Sequence, residues 1–293
     1  MEKLMSKPNN VIGNRYEFVY LFDVTNGNPN GDPETGNAPR IDTETGIGQV
    51  SDVAIKRAVR DYVALSRENR APDRIYITDK AVLSMVRGPA YEGLADEEKQ
   101  DKQRAVMLAQ QFMCRNFWDV RAYGAVMSGK TNNCDRVTGP VQITIANSVD
   151  PVFTPRWTIA RLAVETEAER EKERTFGSKY VVPYALYRCE GFISAFEARK
   201  SGFGEADLDL LWEALINMFD HRHSANRGKM NAQKLIVFKH DNALGRARSQ
   251  DLFDLVGIKR VTDGEVSARK FSDYEVHIDK AHLPKGVELI EML

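Results

Sequence analysis

Polar positions are sparse from Tyr16 to Val24, only Glu17 and Asp23, and YEFVYLFDV alternates aromatic and aliphatic β-formers. This period of two predicts a strand buried on at least one face. The following stretch, TNGNPNGDPETGNAPR, is dense in Asn, Gly and Pro. That composition predicts a long functional loop without regular structure. Ser51 is placed to cap a helix running to about Leu65, with Ile55, Val59 and Tyr62 on one stripe and Asp52, Lys56 and Arg60 on another. From Ser66 to about Arg115 the pattern is mixed, charged and helical in character, broken at Arg87-Gly88-Pro89 and clearest from Asp101 to Phe117. This predicts an insertion. Strand alternation resumes at Val141 to Ala146 and again within Val181 to Ile193. Leu208, Leu211, Trp212, Leu215 and Phe219 have the spacing of an amphipathic helix, and Leu235 to Phe238 and Tyr274 to Ile278 read as further strands. Between the middle strands, Glu165 to Arg174 sets five acids against three bases, which predicts a solvated helix or a projecting arm. The order strand, helix, insertion, strand, arm, strand, helix, strand predicts an α+β fold of ferredoxin-like type, with helices on one face of the sheet.

The 293 residues are enough for one large domain, or for a core with substantial insertions. Composition is that of a soluble globular protein, at 42% hydrophobic and 28% charged. No apolar run is long enough to cross a bilayer, and MEKLMSKPNN has no signal-peptide core, so a cytoplasmic location without membrane attachment is expected. Cys114, Cys134 and Cys189 are odd in number and widely spaced, which predicts reduced thiols that are not ligands. His221 and His223 diverge on a helix and have no ligand partner at metal spacing. No metal or other cofactor is expected.

Charge adds a different signal. The formal net charge is only -1, yet residues 221–248 carry seven Lys or Arg against Asp241 alone, and Lys56, Arg57 and Arg60 form a second cluster. Concentrated basic surface on a near-neutral chain is the footprint of a polyanion binder, with solvated helix faces and strand edges as the bland alternative. Gly124 to Thr131, GAVMSGKT, matches the phosphate-loop pattern of a nucleoside triphosphatase. That chemistry needs a helix immediately afterwards, whose N-terminal amides hold the phosphates. Here Asn132, Asn133 and Asp135 follow, then Gly139-Pro140, so the context is missing. The segment Asn26 to Gly31 imitates a calcium loop, but position twelve is Asn37 rather than glutamate.

Three stretches taken together carry a resemblance: DVTNGNPNGDP at Asp23 to Pro33, VSDVAIKRAVRDYV at Val50 to Val63, and GPVQITIANSVDPV at Gly139 to Val152. The chain resembles the backbone subunit of the type I-C CRISPR surveillance complex, Cascade, over roughly Arg15 to Leu289. The resemblance implies a modified RNA-recognition-type (RRM-like) palm with a helical finger and a thumb. It further implies head-to-tail copies along guide crRNA, target DNA recognised through guide pairing, other Cascade subunits as partners, and no catalysis by this chain. On that pattern residues 1–65, 116–150 and 180–293 form the palm, 66–115 the finger and 151–179 the thumb, with a Gly-rich RNA-facing loop in 116–150.

The resemblance and the basic clusters together make Arg40, Ser51, Lys56, Arg57, Arg60, Met127, Lys130, Gln142, Arg246 and Arg248 the expected RNA contacts. Ser51 offers a hydroxyl and helix-end amides, and Met127 to Lys130 can approach a backbone closely. Gln142 is also explained by an ordinary solvent-facing strand position. The aromatic-rich pattern of an ordinary RNA-recognition module is missing; the resemblance, to a family that kinks its guide periodically, implies a wedge from a neighbouring copy instead. Phe153, Trp157 and Ile159 are its candidates, the alternative being that they pack in the palm. Two other functions stay open: a precursor-RNA-processing endonuclease using His221 and His223 beside Arg222 and Arg227, and the phosphate-loop NTPase.

Overall fold

The computed structural model describes residues 10–171, 175–261 and 266–293. Its centre is a seven-stranded antiparallel sheet ordered Val287–Glu291, Lys229–His240, Tyr16–Gly27, Val182–Ile193, Ala146–Pro151 and Ile47–Val50, with Val141–Ile143 also pairing on Val182–Ile193. Tyr16 lies opposite Ile193 and Gly27 opposite Val182, so the two longest strands pair along almost their whole length. The first strand is buried on both faces. Phe18, Tyr20, Phe22 and Val24 point into one core, while Val19 and Leu21 point into another. Gly191 leaves room for the Phe18 ring, because a Cβ there would lie 1.9 Å from it, and that ring meets Trp212 edge-on at 5.3 Å.

Helices Asp52–Ser66 and Glu205–Asn217 cover the first face, through the Ile55, Val59 and Tyr62 stripe and the Leu208, Leu211, Trp212 and Leu215 stripe. The expectation of helices on one face only is corrected. Helix Ser249–Phe253 and the hairpin of Val256–Arg260 with Tyr274–Ile278 cover the second face, packing Leu252, Phe253, Val256 and Tyr274 on Val19 and Leu21. Two local expectations also change. The strand expected over Val141 to Ala146 is two strands, split where Thr144 takes up the backbone of Glu190 through its own N–H and Oγ1. The turn-rich segment contains a small hairpin, Gly31–Asp32 with Ala38–Pro39, built around a 3-10 turn that Asp32 caps.

The helical insertion has its own core of Tyr76, Ala90, Ala109, Met113 and Phe117, joined by Val120, Met127, Cys134 and Val137. A boundary at residue 115 therefore cuts through a packed unit, which continues into the hairpin Gly124–Val126 and Arg136–Thr138. Buried ion pairs fasten the returning helix Trp118–Tyr123 to the rest. Arg121 pairs with Asp207 at 2.7 Å and Asp73 at 2.8 Å, and Asp119 accepts from the amides of Tyr76 and Ile77. The charged segment after Val152 is neither buried nor mainly helical. Strands Arg156–Arg161 and Thr175–Tyr180 make a two-stranded arm, with a single 3-10 turn at Glu167–Glu169. Lys172 to Arg174 of the acidic and basic stretch lie outside the described residues.

Candidate nucleic-acid interface

Three segments meet at the end of the first strand. Asn28 donates its amide to Asn226 O and its side chain to Asn37 O, while Asn30 Oδ1 accepts from both the amide and the hydroxyl of Ser51. The turn after Arg222 is pressed against Gly27, where a Cβ would lie 1.8 Å from Arg227 O. Only glycine allows that approach. The convergence puts Arg57 from the first helix and Arg222 and Arg227 from the distant turn around one pocket walled by Asn28 and Asn30.

The pocket is electrostatically unbalanced. Asp61 is shared by Arg57 at 2.7 Å and Arg222 at 3.3 Å, whereas Arg227 has no ion pair among the described residues. Burial holds the Arg222 guanidinium below its usual pKa, the charge of Arg227 adds to this, Asp61 opposes it and Arg57 reinforces it. An incoming anion relieves that crowding. A phosphate is the matching group, since guanidiniums offer it paired, charge-assisted donors.

The expected contacts are scattered more widely. Arg57 lines the pocket. Arg40 is tied to it through its amide on Asn30 O and keeps its side chain 39% exposed, with a 3.4 Å contact to Asp32. Ser51 is corrected: its amide and hydroxyl both go to Asn30, and its Oγ caps Ala54 N, so neither donor is left for a phosphate. Lys56 and Arg60 are corrected as free surface cations. They turn toward Tyr123, 5.7 and 5.1 Å from the centre of its ring, with Lys56 on Asp52 and Arg60 on buried Asp119 at 2.8 Å. Met127 is corrected too, being fully buried in the insertion core, while Lys130 is exposed on the loop above it. Gln142 is exposed on its strand.

Arg246 and Arg248 sit at the far end of Lys229–His240 from Arg222 and Arg227, about 40 Å away at 3.4 Å per residue. One basic run in sequence is thus two sites in space. Arg246 is already paired by two bonds to Asp241, at 2.6 and 3.0 Å, and Arg248 is exposed. Their loop is held by a buried cluster in which Glu17 accepts from His240, Arg15 and Ser249. Burial raises the Glu17 carboxyl, but those bonds outweigh it and leave its pKa below the ordinary value. Phe153, Trp157 and Ile159 are 75%, 56% and 51% exposed, which excludes their packing in the sheet domain.

Arg222, Arg227, Asn28 and Asn30 are the pocket residues that no motif singled out as RNA contacts. Arg222 and Arg227 stood in the basic run, but only the Gly27 and Gly228 close approach reveals which part of that run meets the first helix. The rival chemistries find less support. His221 packs against Tyr62 with ring centres 5.8 Å apart, and neither it nor His223 has a hydrogen-bond partner among the described residues. Residues 127–135 connect two strands, with no helix after Thr131 to collect phosphates. Burial pushes the Cys114 and Cys134 thiols up to about 11, away from nucleophile chemistry.

The environment of Arg60 has a stability consequence. Arg60→Ala strands the Asp119 carboxylate with two amide donors and no cation, so it should cost roughly 3 kcal/mol, near the lower end for breaking a buried pair. Denaturant unfolding checks this, and Arg57→Ala, which removes an exposed pair, should cost under about 1 kcal/mol.

Comparison with known proteins gives a consistent picture. The profile of the family described as CRISPR-associated protein Cas7 matches residues 14–279. A CRISPR-associated protein Cas7 of Haloferax volcanii is 22% identical over 308 aligned residues, spanning 96% of this chain and 83% of that protein. Among solved structures, a chain of a CRISPR RNA-guided surveillance complex in a pre-nicking state superposes with a TM-score of 0.52 at 11% identity, covering 76% of this chain and 78% of that one. That likeness is one of fold.

Proposed function

The chain belongs to the Cas7 family of CRISPR-associated proteins, and from that premise we propose that it is a non-catalytic backbone subunit of a type I-C Cascade. Copies bind head to tail along guide crRNA, hold it for pairing with target DNA, and join the other subunits of the complex. The observation that carries this reading is the pocket lined by Arg57, Arg222 and Arg227, of which only Arg57 and Arg222 share a carboxylate, Asp61. It can grip a sugar-phosphate backbone without reading a base, which is what a subunit repeated along any guide sequence requires.

Other features support the same assignment. The strands Lys229–His240, Tyr16–Gly27, Val182–Ile193 and Ala146–Pro151 stand in the order of an RRM-like palm, fourth, first, third, second, with the two covering helices in the matching places. The insertion with its separate core is the proposed finger, and the exposed arm is the proposed thumb. Two of the stretches that suggested type I-C, Asp23 to Pro33 and Val50 to Val63, meet at the Asn30 to Ser51 bonds that build the pocket. Arg40, Gln142 and Arg248 are proposed as further RNA contacts on the palm, and Lys130 on the loop above the insertion core. No described helix is long and apolar enough to cross a membrane, and a cytoplasmic site of action is proposed.

Incubation of the purified protein with precursor RNA in chelator separates this function from the endonuclease. The account expects the RNA to be bound and recovered at full length. Site-specific cleavage lost on His221→Ala would assign the protein to RNA processing.

A further inference from the structure

We propose that Arg87 and the exposed loop Ser128–Thr131 form a second phosphate-binding site, lying on the helical insertion and taking a phosphodiester of a bound nucleic-acid strand. It deepens the reading above and rests on it for the polymeric nature of the ligand.

Arg87 is only 8% exposed, yet it has no ion pair among the described residues. Its hydrogen bond runs from Nη1 to the carbonyl of Met127, and its buried Nε has no protein partner. The groups that feel its charge are the phenols of Tyr76 and Tyr91 and the thiol of Cys134, and burial raises all three toward their neutral forms. A cation withdrawn from water without a carboxylate is costly, and an anion brought to it recovers that cost. By contrast, the equally buried Arg121 has two carboxylates.

The loop above is built to present such an anion. Its ends and underside are pinned by Asn132 Nδ2 on Ser84 O at 3.0 Å, Tyr91 OH on Asn133 O, and the backbone pairs Met127 N to Asp135 O and Cys134 N to Met127 O. The tip, Ser128 to Thr131, is left exposed, and Lys130 has no ion pair among the described residues. Gly129 covers the guanidinium: a Cβ there would stand 3.4 Å from Arg87 Nη2, so the glycine leaves an approach that a side chain would fill. Lys130 then meets a phosphate from above and Arg87 from below. A strand rather than a helix follows, so there is no row of amides for a nucleoside triphosphate. The site shares no residue with the pocket at the first helix.

The test titrates full-length protein with labelled single-stranded RNA and single-stranded DNA of one sequence over a range of salt. Each lost contact should lower the log-log salt slope by about 0.7, so Arg87→Gln with Lys130→Ala should lower it by about 1.4 on both strands. Gly129→Leu, which keeps the cation and blocks its approach, should lower the slope by about 0.7 and serves if Arg87→Gln does not fold. Unchanged slopes in folded variants would overturn the site and leave Arg87 a clasp for the Met127 carbonyl. Saturable ATP binding that requires Lys130 would also overturn it, by assigning the loop to a free nucleotide. Failure of the wild-type chain to bind RNA sinks the broader function, whereas wild-type binding with unaltered variant slopes sinks this site alone.

Discussion

Replacing Arg57 and Arg227 together by alanine should weaken single-stranded RNA binding on the order of 100-fold at low salt and lower the salt slope by about 1.4. Both side chains line the pocket at the end of the first strand, and neither belongs to a hydrophobic core. Removing Arg57 leaves Asp61 paired with Arg222, so no carboxylate is stranded, and the fold should survive. The pocket keeps one guanidinium beside one carboxylate and loses its excess charge. Arg246→Ala supplies the contrast, since Asp241 already engages that guanidinium by two bonds. Its slope should change by much less. Fluorescence anisotropy across salt concentrations reads both, and equal effects would mean that basic residues act here by number rather than by place.

Deleting residues 154–179 and closing the gap with a short flexible linker should abolish ordered assembly on RNA while leaving a folded core. The arm's strands pair with each other, Trp157 opposite Lys179 and Ile159 opposite Gly177, and not with the seven-stranded sheet. Trp157, Ile159, Leu162 and Phe176 are all more than half exposed, an apolar load that two strands cannot bury between them. A neighbouring copy is the proposed cover. The base of the arm is narrow, since Val181 N donates to Pro155 O at 3.2 Å, and the residues to be joined, Phe153 and Tyr180, are two and one positions from that pair, within reach of a short linker. Melting temperature should therefore fall by only a few degrees, the shift that a loss of about 1 kcal/mol produces in a domain of this size. Electron microscopy on long RNA should show ordered arrays for the full chain and none for the deletion. Ordered arrays from the deletion variant would remove the arm from the interface, and a molten product would mean that it is part of the core.

The sequence made the scaffold legible because its signals are local. Tyr16 to Val24 is a run of aromatic and aliphatic β-formers, and the first helix announces its start at Ser51 and its buried stripe at Ile55, Val59 and Tyr62. The arm's projection followed from its charge, but its strands did not, because the acidic centre masks the β-forming Trp157, Ile159 and Phe176 at its base. Site residues were less legible because their availability depends on distant partners. Arg60 looks like a surface cation until Asp119 arrives 59 residues later, and Ser51 looks like a phosphate donor until Asn30 takes both of its hydrogens. Met127 reads as part of an open Gly-rich loop, yet it fills the core beneath that loop. A basic run read along residues 221–248 suggests one face, whereas the twelve-residue strand inside it carries its two halves to opposite ends of the sheet.

Nuclease protection tests the central claim most directly. Purified protein is bound to long single-stranded RNA of arbitrary sequence in chelator, trimmed with RNase, and the surviving fragments are sized and sequenced. A backbone that repeats along a guide predicts fragments in integer steps of one constant footprint, without sequence preference and without cuts at any fixed site. Complete digestion, or a single fragment length tied to one sequence, would contradict it.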